Sequence, residues 1–166
     1  MHEPEFEGTI AVVRNRLSAA IGEEVLRFWA DSGALDESSA RARLPEVLCV
    51  LRDSSRRIAG INSAYPDAVP LIGGRHLWVY RSFLLPPARG AWDAMLRAAF
   101  RALAADFDPG RRGDPIGLCV PIADRALLER RPEAEWQDPR LLYAGYLGDG
   151  RQVRVGYFEG ARVALA

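Results

Sequence analysis

The segment Leu84–Leu96, LLPPARGAWDAML, carries an apolar run through two prolines and an Arg-Gly pair into what the spacing predicts is a helix. A helix N-terminus offers unpaired N–H donors and the positive end of the peptide dipoles, so such a corner suits a phosphate. Arg89 beside it adds charge-assisted contacts. The run before the corner, His76 to Leu85, holds the other residues that could do chemistry. His76 has the intrinsic pKa of a general base. Tyr80 and Ser82 are polar positions in an otherwise apolar stretch, and no carboxylate falls among them. Cys49 and Cys119 each sit inside an apolar run and read as small buried thiols rather than a disulfide. Two cysteines and two histidines without ligand spacing give no metal site.

The elements that must position these residues follow from periodicity. Thr9 to Val13 is a short β-prone run. Leu17, Ile21, Val25, Phe28 and Trp29 form one helical stripe ending near Gly33. A second short helix is predicted after Asp36, its cap, closing before Pro45. Val47 to Leu51 is a buried strand, RDSSRR a turn, and Ile58 to Tyr65 its hairpin partner. PDAVPLIGG reads as a loop. His76 to Leu85, apolar on both faces apart from Arg81 and Ser82, is a central strand. The long helix is predicted to begin after Gly90, with Trp92, Met95, Leu96, Ala99, Leu103 and Phe107 toward the sheet. Ile116 to Ile122 is a further buried strand. Asp124 caps a short helix stopped by Pro132, and LLYAGYL and VRVGYF close the chain as a hairpin. With no internal repeat and no linker, residues 1–166 are expected to form a single domain. Its architecture is a mixed α/β sheet, largely antiparallel, of about seven strands with helices on both faces.

This order, with the corner after the fourth strand, resembles the GNAT family of acyl-CoA-dependent N-acetyltransferases, and the resemblance covers nearly the whole chain. In that family the corner reads Gln/Arg-x-x-Gly-x-Gly/Ala, and the amides opening the next helix hold the pyrophosphate of coenzyme A. Here Arg89 takes the Arg position and Ala94 the last Gly/Ala position, while Trp92 replaces the central glycine. The loop is therefore a degenerate version of the motif. Trp92 also opens the apolar stripe of the helix and is expected to pack there. The resemblance implies acetyl-CoA as co-substrate, held by Phe83, Leu84, Leu85, Arg89, Gly90, Ala91, Trp92 and Ala94, with no metal. It implies a thioester lying between the fourth and fifth strands, where Pro121 helps to end regular pairing. His76 and Tyr80 are the catalytic candidates. The tyrosine acid that many members carry after the fifth strand is absent from ALLERR. The function implied is transfer of an acetyl or other acyl group to a primary amine of a small molecule or peptide. The alternative is a catalytically inactive GNAT-like domain that binds acyl-CoA or a protein partner.

Composition bounds the partners. The 22 basic and 22 acidic residues cancel, which gives no field toward nucleic acid or an anionic membrane. All the basic residues are arginine, which excludes a Schiff-base lysine and fits a GC-rich bacterial genome. No run approaches the ~20 apolar residues of a membrane span, and MHEPEFEG is not a signal peptide. The expectation is a cytoplasmic protein. Asp31, Asp36, Glu37 and Asp67 lie where the resemblance places the acceptor's entrance. The aromatic terminal hairpin, with Tyr143, Tyr146, Tyr157 and Phe158, offers an edge for a homodimer.

Overall fold

A computed structural model describes residues 6–163. In chain order the elements are β1 (Gly8–Val12), α1 (Ala19–Asp31), α2 (Glu37–Arg43), β2 (Val47–Asp53), β3 (Ile58–Val69), β4 (Arg75–Leu84), α3 (Trp92–Asp106), β5 (Gly117–Ile122), α4 (Arg125–Arg130), β6 (Glu135–Trp136), β7 (Leu141–Tyr146) and β8 (Gln152–Tyr157). The strands form one sheet in the order β1-β2-β3-β4-β5-β8-β7-β6. The pair β4–β5 is parallel, while β1–β2, β2–β3, β5–β8, β7–β8 and β6–β7 are antiparallel. This is the mixed, largely antiparallel α/β sheet expected from the sequence.

Three expectations need correction. The sheet has eight strands rather than about seven, because Glu135 and Trp136 pair with Leu142 and Leu141. A two-residue strand has no periodicity to read. β3 runs on to Val69, so the first part of PDAVPLIGG is strand and not loop. The corner is not a loop either. Pro86–Ala91 form a 3-10 helix that leads directly into α3.

The chain packs as two compact units, one formed by the chain up to Ala64 with Ser82–Ala102, the other by Tyr65–Arg81 with the chain from Leu103. In the first unit, Ser18 and Asp36 cap α1 and α2, accepting from Ile21 N–H at 3.2 Å and Ser39 N–H at 2.9 Å. Val25 and Trp29 of α1 pack with Val47 and Val50 of β2 and Ile61 of β3. The next residue, Asn62, is 1% exposed. Its Oδ1 accepts from Cys49 N–H at 2.9 Å and its Nδ2 donates to Met95 C=O of α3 at 2.8 Å. Adjacent residues of a strand point to opposite faces, so α1 and α3 cover opposite faces of β3.

The second unit has its own core, in which Val69, Leu77, Cys119, Val153 and Val155 are buried together. Phe158 packs against Phe107, ring centroids 5.4 Å apart. Of the aromatic residues expected to form an apolar edge, Tyr143 and Tyr146 are exposed, whereas Phe158 is 3% exposed.

Both cysteines are reduced and buried. Burial pushes the Cys49 thiol up to about 12 and that of Cys119 up to about 11. A raised pKa keeps the unreactive thiol form below those values, so neither should label in the native protein at pH 8. Mass spectrometry should show both alkylated only after unfolding. Asn62→Ala removes both bonds of a buried amide and should cost roughly 2–4 kcal/mol in urea unfolding. An unchanged midpoint would remove the amide from the account of the fold.

Candidate active site

The end of β4 is held by three contacts within the first unit. Phe83 meets Phe28 of α1 edge to face, with centroids 5.9 Å apart. Leu84 lies so close to Gly60 that a Cβ on that glycine would sit 2.9 Å from Leu84 Cγ. Leu85 N–H donates to Ala59 C=O at 2.9 Å. The amide of Leu85 is thus committed to β3, and no ligand carbonyl can take it.

The corner follows. Pro86 and Pro87 have no N–H, and their fixed φ suits the opening of a helix. Ala88 N–H returns to Leu85 C=O at 2.8 Å, and Trp92 N–H bonds Arg89 C=O. An anion at this corner is therefore left with the Arg89 side chain. Arg89 is exposed, with no ion pair among the described residues, and the space beside Gly90 is open. Asp93 in the first turn of α3 works against a bound phosphate. Ala91 and Ala94 are half-buried. Trp92 turns back along the strand, its Nε1 donating to Ser82 Oγ at 3.2 Å. The ring that replaces the motif's glycine is thereby pinned to β4.

His76 and Tyr80 lie in the second unit. His76 is exposed at the start of β4, while Tyr80 is 3% exposed. Four residues of strand separate them by roughly 13 Å, too far to handle one proton together. The parallel ladder joins Trp78 to Leu118 and Val79 to Cys119 and ends there. His76 C=O accepts from Ile116 N–H at 3.0 Å, so the amide groups of even-numbered residues face β5. By that alternation Tyr80 N–H belongs to the last pair of the ladder, and the strands part beyond it. On its other edge β5 continues to pair, through Pro121 with Val153 and Ile122 with Gln152. α4 is capped by Asp124, which accepts from Leu127 N–H at 3.0 Å, and contains no tyrosine.

A cavity of about 440 Å³ lies in the first unit beside α1, with Phe28, Ile58 and Leu85 as its apolar side. Glu24, Asp31, Arg27 and Arg57 also line it. Arg52 takes both oxygens of Glu24, at 2.7 and 3.1 Å, and this bonding holds the carboxyl below its usual range. Of the carboxylates expected at an acceptor entrance, the structure brings Asp31 to this cavity. Among the described residues no group of three His, Cys, Asp or Glu could hold a metal ion.

No protein-family model and no curated protein matches the sequence. Solved structures do match. An acetyltransferase of the GNAT family from Streptococcus pneumoniae aligns with a TM-score of 0.53 at 12% identity, over 92% of this chain and 99% of the other. A GNAT-family acetyltransferase from Streptococcus agalactiae aligns at 0.50 and 10% identity, over 93% and 98%. The chain has the GNAT fold. At these identities the likeness is one of fold, and the roles of individual residues rest on the geometry above.

Sequence reasoning passed over Asn62, Trp136 and Arg154. Asn62 had a signal, a lone amide in the apolar run IAGIN. Arg154 had none, since VRV reads as a strand with one wet face. The Trp92–Ser82 contact is measurable. Trp92→Phe and Ser82→Ala should each cost little. In a double-mutant cycle they should couple by about 0.5–1.5 kcal/mol. Strict additivity would show that the indole N–H is not held by Ser82.

Proposed function

We propose that this GNAT-fold chain is an acyl-CoA-dependent N-acyltransferase, moving an acetyl or other acyl group from coenzyme A to a primary amine of a small molecule or peptide, with residues 1–166 acting as one domain. The observation that carries the reading is the parting of β4 and β5 after Val79 and Cys119, which opens a gap between two adjacent parallel strands. On this reading the thioester lies in that gap, where the β4 backbone beyond the last pair polarises its carbonyl and favours the tetrahedral intermediate. The neutral amine attacks the carbonyl carbon, the C–S bond breaks, and the thiolate leaves. The proton lost by nitrogen passes to water. A thiolate is a good enough leaving group to depart without a side-chain acid, and positioning supplies most of the rate. Arg89 takes the pyrophosphate at the corner. Asp31 in the cavity beside α1 draws the cationic amine.

The second reading, a domain that binds acyl-CoA or a partner without turnover, is favoured by the corner. Two prolines remove donors there, and Asp93 opposes the phosphates. Calorimetry with coenzyme A, paired with thiol release from acetyl-CoA over a panel of primary amines, separates the two. Turnover should rise with pH as the amine loses its proton and then level off, without the descending limb a general acid imposes. His76→Ala and Tyr80→Phe should then change kcat/KM by less than about threefold, against the 10²–10⁴-fold typical of a lost acid or base. Arg89→Ala should weaken coenzyme A about tenfold or more. Saturable binding with no thiol released for any amine would establish the second reading instead.

A further inference from the structure

Arg154 of β8 is 1% exposed. Its Nε donates to Gln152 Oε1 at 2.9 Å, but Nη1 is buried with no hydrogen-bond partner. Among the described residues no carboxylate forms an ion pair with it. Its guanidinium lies over the Trp136 ring, 3.9 Å from the centroid, and Arg131 lies over the same ring at 4.0 Å. Two planar cations at that height cannot share one face without overlapping, so the indole is held between them. Cation–π attraction offsets only part of the cost of burying a charge, and the second guanidinium repels the first. Burial holds Arg154 below the ordinary arginine range, the charge of Arg131 adds to the effect, and the charge of Glu133 opposes it without forming an ion pair. Nη1 is left with a place for an acceptor that carries negative charge.

The register shows where that charge can arrive. Arg154 pairs directly with Val120 of β5. Side chains of such a pair share a face, with Cβ atoms about 5 Å apart. Val120 is the first β5 residue beyond the ladder to β4, which ends at Cys119. Arg154 therefore lies one strand away from the point where β4 and β5 part.

We propose that Arg154 is a carboxylate-recognition residue, its Nη1 binding a carboxylate carried by one of the two substrates. One guanidinium edge offers a single positive charge, which matches a carboxylate better than a phosphate dianion. The assignment rests on the acyltransferase reading only for the identity of the carrier; binding of the anion itself does not need turnover.

The test titrates sodium succinate, sodium acetate and inorganic phosphate into the full chain, following the Arg154 Nε–H resonance by NMR. Succinate or acetate should saturate and shift that resonance. In Arg154→Met, which removes the buried charge and keeps the bulk, carboxylate affinity measured by calorimetry should fall about tenfold or more. Arg130→Met, a change at an exposed arginine of α4, should leave it unaltered. Two further arms find the carrier. Tighter binding of succinyl-CoA than acetyl-CoA, lost in Arg154→Met, puts the carboxylate on the acyl group. Tighter binding of β-alanine than propylamine, lost in the same variant, puts it on the acceptor. A wild-type resonance unmoved by either carboxylate overturns the proposal, as does a shift by phosphate alone or an affinity that survives in a folded Arg154→Met. Should that variant not fold, the wild-type NMR titration decides by itself. An absence of thiol release would instead count against the acyltransferase reading and leave the anion result standing.

Discussion

A single buried amide ties together the elements that carry the corner. Asn62 accepts from Cys49 N–H, where β2 slips register against β3 between Val47 and Cys49, and donates to Met95 C=O near the start of α3. The slip frees Cys49 N–H from the ladder, and an apolar residue at position 62 would leave that donor buried and unpaired. Leu48, at the slip, turns its carbonyl to Val13 and Arg14 N–H at 2.8 and 3.2 Å. β1's exit, the bulge of β2, the middle of β3 and the first turns of α3 are thus fixed by one local arrangement. Hydrophobic burial alone would allow α3 to slide along the sheet. The hydrogen bond from Asn62 sets where its first turn begins, and with it the position of Trp92.

The corner before α3 shows a trade between rigidity and donors. Prolines at 86 and 87 restrict the backbone and direct the chain into a 3-10 turn, which lowers the entropy lost on folding. They also remove two N–H groups from the place where an anion would seek them. The 3-10 turn then uses Ala88 N–H and Trp92 N–H internally. What remains for a phosphate is a side chain, Arg89, opposed by Asp93 in the first turn of α3. By contrast, the gap beside β4 depends on backbone alone.

The legible part of the fold was the part written in local periodicity. The α1 stripe, the Asp36 and Asp124 caps and the β2 and β8 runs each follow from spacing within a few residues. The 3-10 turn was missed because two prolines read equally well as loop punctuation. The extension of β3 through Pro66 and Asp67 contradicts strand propensity and depends on its neighbours. β6 was out of reach for a different reason. Glu135 and Trp136 are strand only because Leu141 and Leu142 come alongside, and that same pairing puts Trp136 over Arg154. In sequence Arg154 looks like the wet face of VRVGYF; in the structure a residue eighteen positions earlier covers it. The candidate site divides the same way. Arg89 and Trp92 could be named from a motif and Asn62 from its place in an apolar run, whereas Arg154 acts through long-range contacts that no local pattern encodes.

At 12% identity to a structure that shares its fold, this chain illustrates which parts of a site survive sequence change. The gap between β4 and β5 is set by the backbone, which parts after the last ladder pair at Val79 and Cys119. Any side chain compatible with β4 leaves it in place. A thioester needs its carbonyl polarised and its nucleophile held close; both can come from backbone geometry and cavity shape. Side chains that tune protons, such as a carboxylate on β4 or a tyrosine in α4, raise the rate without creating the reaction. On the acyltransferase reading, their absence bears on turnover number more than on reaction type. Selectivity among substrates has to be written in side chains, because it rests on matching charge and shape. The buried guanidinium of Arg154, one strand from the gap, is the unpaired charge that can supply it.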